Sequence, residues 1–243
     1  FPTIFFFINN KDIIVTVKNE KNSMEKFDLI AAIVIFISLG LIQFSSHNYE
    51  TINWDINAYL ASSLEIGRGY LPLETQFENK PPLLFFIYYI FSIFANGDLL
   101  PIKIYNDVAL FLTILMFYFL FRIQSKSKGD ALLCSLVLIL FTSNYWFHPG
   151  FSEIFSLLFI SISYLILLKK EKTQIHFLLS GMIFSLSTLV NIGSAIILIG
   201  FGIIIYLMSD RKIKNFLFYI LGFCLIHFVL LIVYSSNNLL TEY

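Results

Sequence analysis

The chain has 243 residues, of which 58% are hydrophobic and 18% aromatic, with only 13% charged and a mean hydropathy of +0.80. That composition defines an integral membrane protein, and a formal net charge of zero argues against an electrostatic nucleic-acid binder. Cys134 and Cys224 lie far apart inside apolar runs and read as core or lipid-facing thiols, not as a disulfide or metal pair.

Residues 1 to 23 are Lys/Asn/Glu-rich after a short apolar start, and Met24 with Glu25-Lys26-Phe27-Asp28 makes a natural beginning. We read 1–28 as a cytoplasmic tail, with 1–23 as upstream translation or a disordered extension outside the fold. Uncharged apolar runs follow at about 29 to 45, 83 to 96, 105 to 121, 131 to 147, 154 to 168, 176 to 190, 194 to 208 and 216 to 235. A membrane span needs roughly 20 residues, so the run after Pro82 is the doubtful one.

Basic residues decide its status, because cytoplasmic loops retain Lys and Arg. If 83 to 96 does not cross, thirteen Lys/Arg lie inside and only Arg68, Lys80 and Lys103 outside. If it does cross, the split becomes five inside against eleven outside. The first arrangement gives an all-α membrane protein of seven spanning helices, with the N-terminus inside, the C-terminus outside and a large external loop of about 46–104. In that loop, Asn57 to Ile66 has helical spacing and is expected to lie along the membrane surface. Residues 83 to 95 are expected to form a second interfacial helix, opened by Pro81-Pro82 and ended by Gly97. Glu153, closing the short second external loop, is expected to cap the helix that follows it, where the helix dipole favours a carboxylate. The transmembrane module is expected to span 29–235, and 236–243, after Ser235-Ser236, reads as a cut external loop, as expected of a fragment.

Most of the charge outside the cytoplasmic loops sits in one polar island, from Asn53-Trp54-Asp55 to Glu78-Asn79-Lys80-Pro81-Pro82. Ionisable groups beside bilayer segments are costly to keep and are functional candidates. An external carboxylate at Asp55 can take the proton from an acceptor hydroxyl, or it can simply cap the surface helix. Lys80 can meet a phosphate or snorkel to anionic lipid. Lys103 and Asp107 are spaced to neutralise each other on one helical face.

The acidic residue past the first helix, then Gly67-Arg68-Gly69-Tyr70-Leu71-Pro72, then Phe77-Glu78-Asn79-Lys80-Pro81-Pro82-Leu83 and a short apolar segment ending at Gly97, resembles the first half of a GT-C glycosyltransferase. The resemblance is to the protein O-mannosyltransferase-like and aminoarabinose-transferase-like enzymes, over about Leu29 to Leu207. The resemblance implies a hexosyl- or pentosyl-transferring enzyme of the cell membrane. Its donor would be a polyprenyl-phosphate-linked sugar, and a lipid, glycan or protein acceptor would be reached from the external or periplasmic face.

It further implies Asp55 as the catalytic carboxylate and Glu153 as the acidic residue opening the fourth spanning helix, with Lys80 on the donor phosphate. Glu78, Tyr59, His148 and Lys103 complete the expected substrate-binding set. No resident metal is implied, although Asp55, Glu153 and His148 together could hold a divalent cation. Asn191 departs from the pattern, since relatives carry a basic residue there. The competing classes are a transporter, which uncharged helix centres and the lack of an internal repeat disfavour, and an inactive truncated membrane scaffold.

Overall fold

The computed structural model describes residues 26–47, 53–75, 79–125, 127–142, 150–169, 172–208 and 211–239. These form helices α1 (Lys26–His47), α2 (Trp54–Gly67), α3 (Pro82–Ala95), α4 (Leu99–Gln124), α5 (Lys128–Thr142), α6 (Ser152–Leu167), α7 (Gln174–Thr188), α8 (Ile197–Met208) and α9 (Lys212–Ser236), with a 3₁₀ turn (Ile192–Ile196) leading into α8. No strand occurs among the described residues. Lys26–Phe44, Leu99–Gln124 and Lys212–Ser236 are each long and apolar enough to cross a membrane. The remaining apolar helices, such as Ser152–Leu167, are shorter. Phe36, Leu41 and Phe44 on α1, and Leu217, Leu221 and Phe228 on α9, point outward, as apolar side chains do in lipid. Cys134 and Cys224 are free and exposed.

Helix α1 starts three residues before the apolar run, because Asp28 belongs to the core and not to a tail. Its carboxylate is buried, accepts from the Tyr118 hydroxyl at 2.8 Å, and lies 3.0 Å from Arg122 Nη1. Asp28 occupies the first turn of α1 and Arg122 the last turn of α4, so each charge also meets the favourable end of its own helix dipole. This pair marks one end of the bundle.

The other end is fixed by Gly150, Ser152 and Leu189. Tyr88 of α3 donates to the Gly150 carbonyl at 2.7 Å, with Asn106 Oδ1 at 3.4 Å. Thr113 of α4 reaches the Ile154 carbonyl at 3.2 Å. Asn106 lies on α4 well before Arg122, and Leu99 earlier still, roughly 35 Å from Arg122 at about 1.5 Å of rise per residue. The first turn of α3 is tied to the same end, since the Leu83 N–H donates to the Leu189 carbonyl at 3.0 Å. Helix α3 therefore starts beside Leu189 and ends four residues before α4 begins.

Its boundaries follow from its sequence. Pro81 is extended and Pro82 takes the first helical position, where its missing N–H costs nothing. Asn96 closes the helix at φ 49°, one residue ahead of the expected Gly97, which itself sits at φ 85°.

Three cores fill the bundle. Ala31, Ile35, Tyr118 and Ile139 join α1, α4 and α5; Ile56, Tyr59, Phe85, Tyr88 and Phe155 join α2, α3 and α6; Phe177, Phe184, Phe201 and Tyr219 join α7, α8 and α9. Where α7 crosses α9, a Cβ at Gly181 would run into the Tyr219 carbonyl and one at Gly222 into the Leu178 carbonyl, so the two backbones touch through glycine. Between α6 and α7, Ser163 and Ser180 each donate to the other's carbonyl, at 2.9 and 3.0 Å.

Candidate functional site

At the Glu153 end, three chain segments distant in sequence deliver polar side chains to one point. Lys80 arrives on the stretch before α3, Ser152 and Glu153 on the first turn of α6, and Asn191 on the turn after α7. Ser152 is the hub and is fully buried. Its Oγ accepts from Lys80 Nζ at 3.3 Å and from Asn191 Nδ2 at 3.2 Å, and donates to Glu153 Oε2 at 3.2 Å. A hydroxyl has one proton and two acceptor lone pairs, so this serine is fully used.

Glu153 Oε1 accepts from Asn191 Nδ2 at 2.9 Å and lies 3.9 Å from Lys80 Nζ. Asn191 Oδ1 faces the other way and accepts from the Gly193 N–H at 2.9 Å, which fixes the orientation of the amide. Glu153 is thus a carboxylate held by two neutral donors beside one cation, with 47% of its side chain still exposed against 24% for Lys80.

The expectation that Glu153 caps α6 is corrected. Phe151 is the N-cap, with no side-chain capping bond, and Glu153 sits in the first turn. It keeps the favourable dipole position, but its oxygens are bonded by Asn191 and Ser152. The capping alternative for Asp55 also falls. The Asn53 side chain is the cap and accepts from the Asp55 N–H at 2.9 Å, which leaves the exposed Asp55 in the first turn of α2.

Tyr59, one turn on from Asp55, is 2% exposed, and its ring packs against Phe85 and Tyr88 at centroid distances of 6.5 and 5.7 Å. It binds α2 to α3, the helix that follows Lys80. Lys103 is partly buried near the start of α4. Glu78 and His148 lie outside the described residues. Among the described residues, no group of three or more His, Cys, Asp or Glu could hold a metal ion.

Supporting residues hold the cluster from behind. Burial pushes the Tyr88 phenol above its ordinary range, so it serves as a donor to Gly150. Gly150 sits at φ 100°, and a Cβ there would overlap the Asn106 amide and the Tyr88 hydroxyl. Sequence reasoning missed Ser152 and treated Asn191 only as a missing cation. The available signal was a serine beside Glu153 at the start of one helix and an asparagine three residues past the end of another.

Comparison of the chain with protein-family models, with curated proteins and with solved structures finds no match.

Proposed function

We propose that this chain is the membrane-embedded module of a glycosyltransferase that moves a sugar from a polyprenyl-phosphate-linked donor to an acceptor at the external face of the cell membrane. In this reading the chain crosses the membrane seven times in a GT-C-like arrangement, and the Glu153 end faces outward. The observation that carries it is the meeting of Lys80 with Glu153 at 3.9 Å, which sets a cation and a half-exposed, oriented carboxylate side by side at one end of an apolar bundle.

The chemistry follows from those groups. Asp55, exposed on α2, takes the proton of the acceptor hydroxyl as its oxygen attacks the anomeric carbon. The bond from that carbon to the phosphate oxygen breaks, and the polyprenyl phosphate leaves with the electron pair. Lys80 balances the charge that gathers on the phosphate. Glu153, held by Asn191 and Ser152, orients the acceptor.

A second reading is favoured by the complete bonding of Ser152: the cluster is a clasp that only fastens the loop to the helices. Binding of a polyprenyl-phosphate sugar to the chain in lipid nanodiscs separates the two. The enzyme reading expects saturable binding that weakens by roughly tenfold or more in Lys80→Ala, the loss of one charge-assisted contact, and that Lys80→Arg partly restores. Absent binding in the wild-type chain, or affinity unchanged by Lys80→Ala, contradicts it and leaves the clasp.

A further inference from the structure

The turn that carries Asn191 has a support outside the cluster. Because α7 and α9 touch through Gly181 and Gly222, α9 runs close enough along α7 for His227 to reach the last residue of α7. His227 Nε2 lies 3.0 Å from Thr188 Oγ1, and the Phe223 ring lies against the imidazole at a centroid distance of 4.9 Å. Thr188 already donates its hydroxyl proton to the Ser185 carbonyl at 2.8 Å, so the ring N–H is the donor in the contact with His227.

The turn that follows Thr188 reaches the candidate site. The Leu189 carbonyl accepts from the Leu83 N–H at 3.0 Å and anchors the start of α3, three residues past Lys80. The Asn191 N–H donates to the Ser187 carbonyl at 2.9 Å, and Ser194 Oγ donates to the Asn191 carbonyl at 2.8 Å while standing 3.2 Å from Ser187 Oγ. The turn from Ser187 to Ser194 is therefore an internally bonded knot. A shift of its Thr188 end carries both the Leu189 carbonyl and the Asn191 amide with it.

We propose that His227 is a positioning residue for the Lys80, Ser152, Glu153 and Asn191 cluster, acting through Thr188 to fix the turn that presents Asn191 to Glu153 and the Leu189 carbonyl to Leu83. The placement of the turn stands on geometry alone, and its consequence for sugar transfer rests on the function proposed above. The choice of His over an apolar residue follows, since a donor must project from α9 at that height. Gln can supply the same donor, because its amide nitrogen stands about where the ring Nε2 does, and Leu cannot.

The test is amide hydrogen exchange of the full chain in nanodiscs, read on peptides covering 82–86 and 189–194 and, as a control, on peptides around Asp28 and Arg122. Exchange at the first two is expected to rise about tenfold in His227→Leu, the scale of one lost hydrogen bond, with the control unchanged. Protection returns in His227→Gln. Thr188→Val, which keeps the ring and removes its acceptor, is expected to repeat the local rise even if His227→Leu does not fold.

Unchanged exchange at 82–86 and 189–194 in Thr188→Val, or exchange in His227→Gln as fast as in a folded His227→Leu, overturns the proposal. Sugar transfer measured on the same samples is expected to fall in His227→Leu and recover in His227→Gln. Absent transfer by the wild-type chain strikes the proposed function instead, and the exchange result still decides the role of His227.

Discussion

The Asn191 amide donates to Glu153 Oε1 at 2.9 Å, joining the turn after α7 to the first turn of α6 at the point where Lys80 also arrives. The neutral amide restrains the carboxylate without neutralising it. A basic residue here would instead compete with Lys80 for Glu153, and the resulting pair would shield the carboxylate from an incoming group.

Asn191→Leu is therefore expected to free Glu153 and strip Ser152 of one donor, with a loss of about 1–3 kcal/mol of stability from the buried serine left partly unpaired. Asn191→Asp is expected to be worse, since it sets a second carboxylate against Glu153. Thermal unfolding in detergent checks both, and an Asn191→Asp variant as stable as the wild type would contradict the observed pairing.

Sidedness can be read by thiol labelling of intact cells, after Cys134 and Cys224 are replaced by Ser, because both native thiols are exposed. A cysteine at the exposed Tyr70 or Asn79 is expected to react with a membrane-impermeant reagent, and one at Ser127 is not. Gly150 is unsuitable as a probe, since a side chain there collides with Asn106 and Tyr88. Labelling of Ser127→Cys together with protection of Tyr70→Cys would reverse the orientation.

At the opposite end, Asp28→Ala leaves Arg122 facing a buried gap and is expected to cost about 3–5 kcal/mol, the usual range for stranding one member of a buried pair. Replacing both, as Asp28→Leu with Arg122→Met, is expected to cost much less, because no charge is stranded. Chemical unfolding of the single and double variants measures the difference, and equal losses would remove the ion pair as the element that locks α1 to α4.

The helices were legible in the sequence because apolar runs and their breaks record local physics. The runs at 29 to 45, 105 to 121 and 216 to 235 lie inside α1, α4 and α9, whose ends extend past the first charges because Asp28, Lys103 and Lys212 are tolerated within helices. The same logic marked 83 to 95 as a helix, and α3 runs from Pro82 to Ala95, with Leu83 tied to Leu189 and Tyr88, in its middle, tied to Asn106.

Pairings between helix ends were not legible, since nothing local in Asp28 announces Arg122, and nothing in Ser152 announces Lys80. The capping expectation failed for Glu153 for the same reason: the dipole is a local effect, whereas Asn191 arrives through the fold. Tyr59 lies near Asp55 in sequence, yet its ring is committed to Phe85 and Tyr88, which only packing could reveal.

Transfer of radiolabelled sugar from a polyprenyl-phosphate donor by the chain in nanodiscs tests the central claim most directly, with Asp55→Asn and Glu153→Gln compared under saturating donor. Asp55→Asn is expected to lower the rate by roughly 10²-fold or more while donor binding persists, since a positioned general base contributes about 10² to 10⁴. Glu153→Gln, which keeps its size and its place beside Asn191, is expected to raise the acceptor KM more than it lowers kcat. Transfer by Asp55→Asn at the wild-type rate, or no transfer by the wild-type chain with any polyprenyl-phosphate sugar that it binds, would contradict the account.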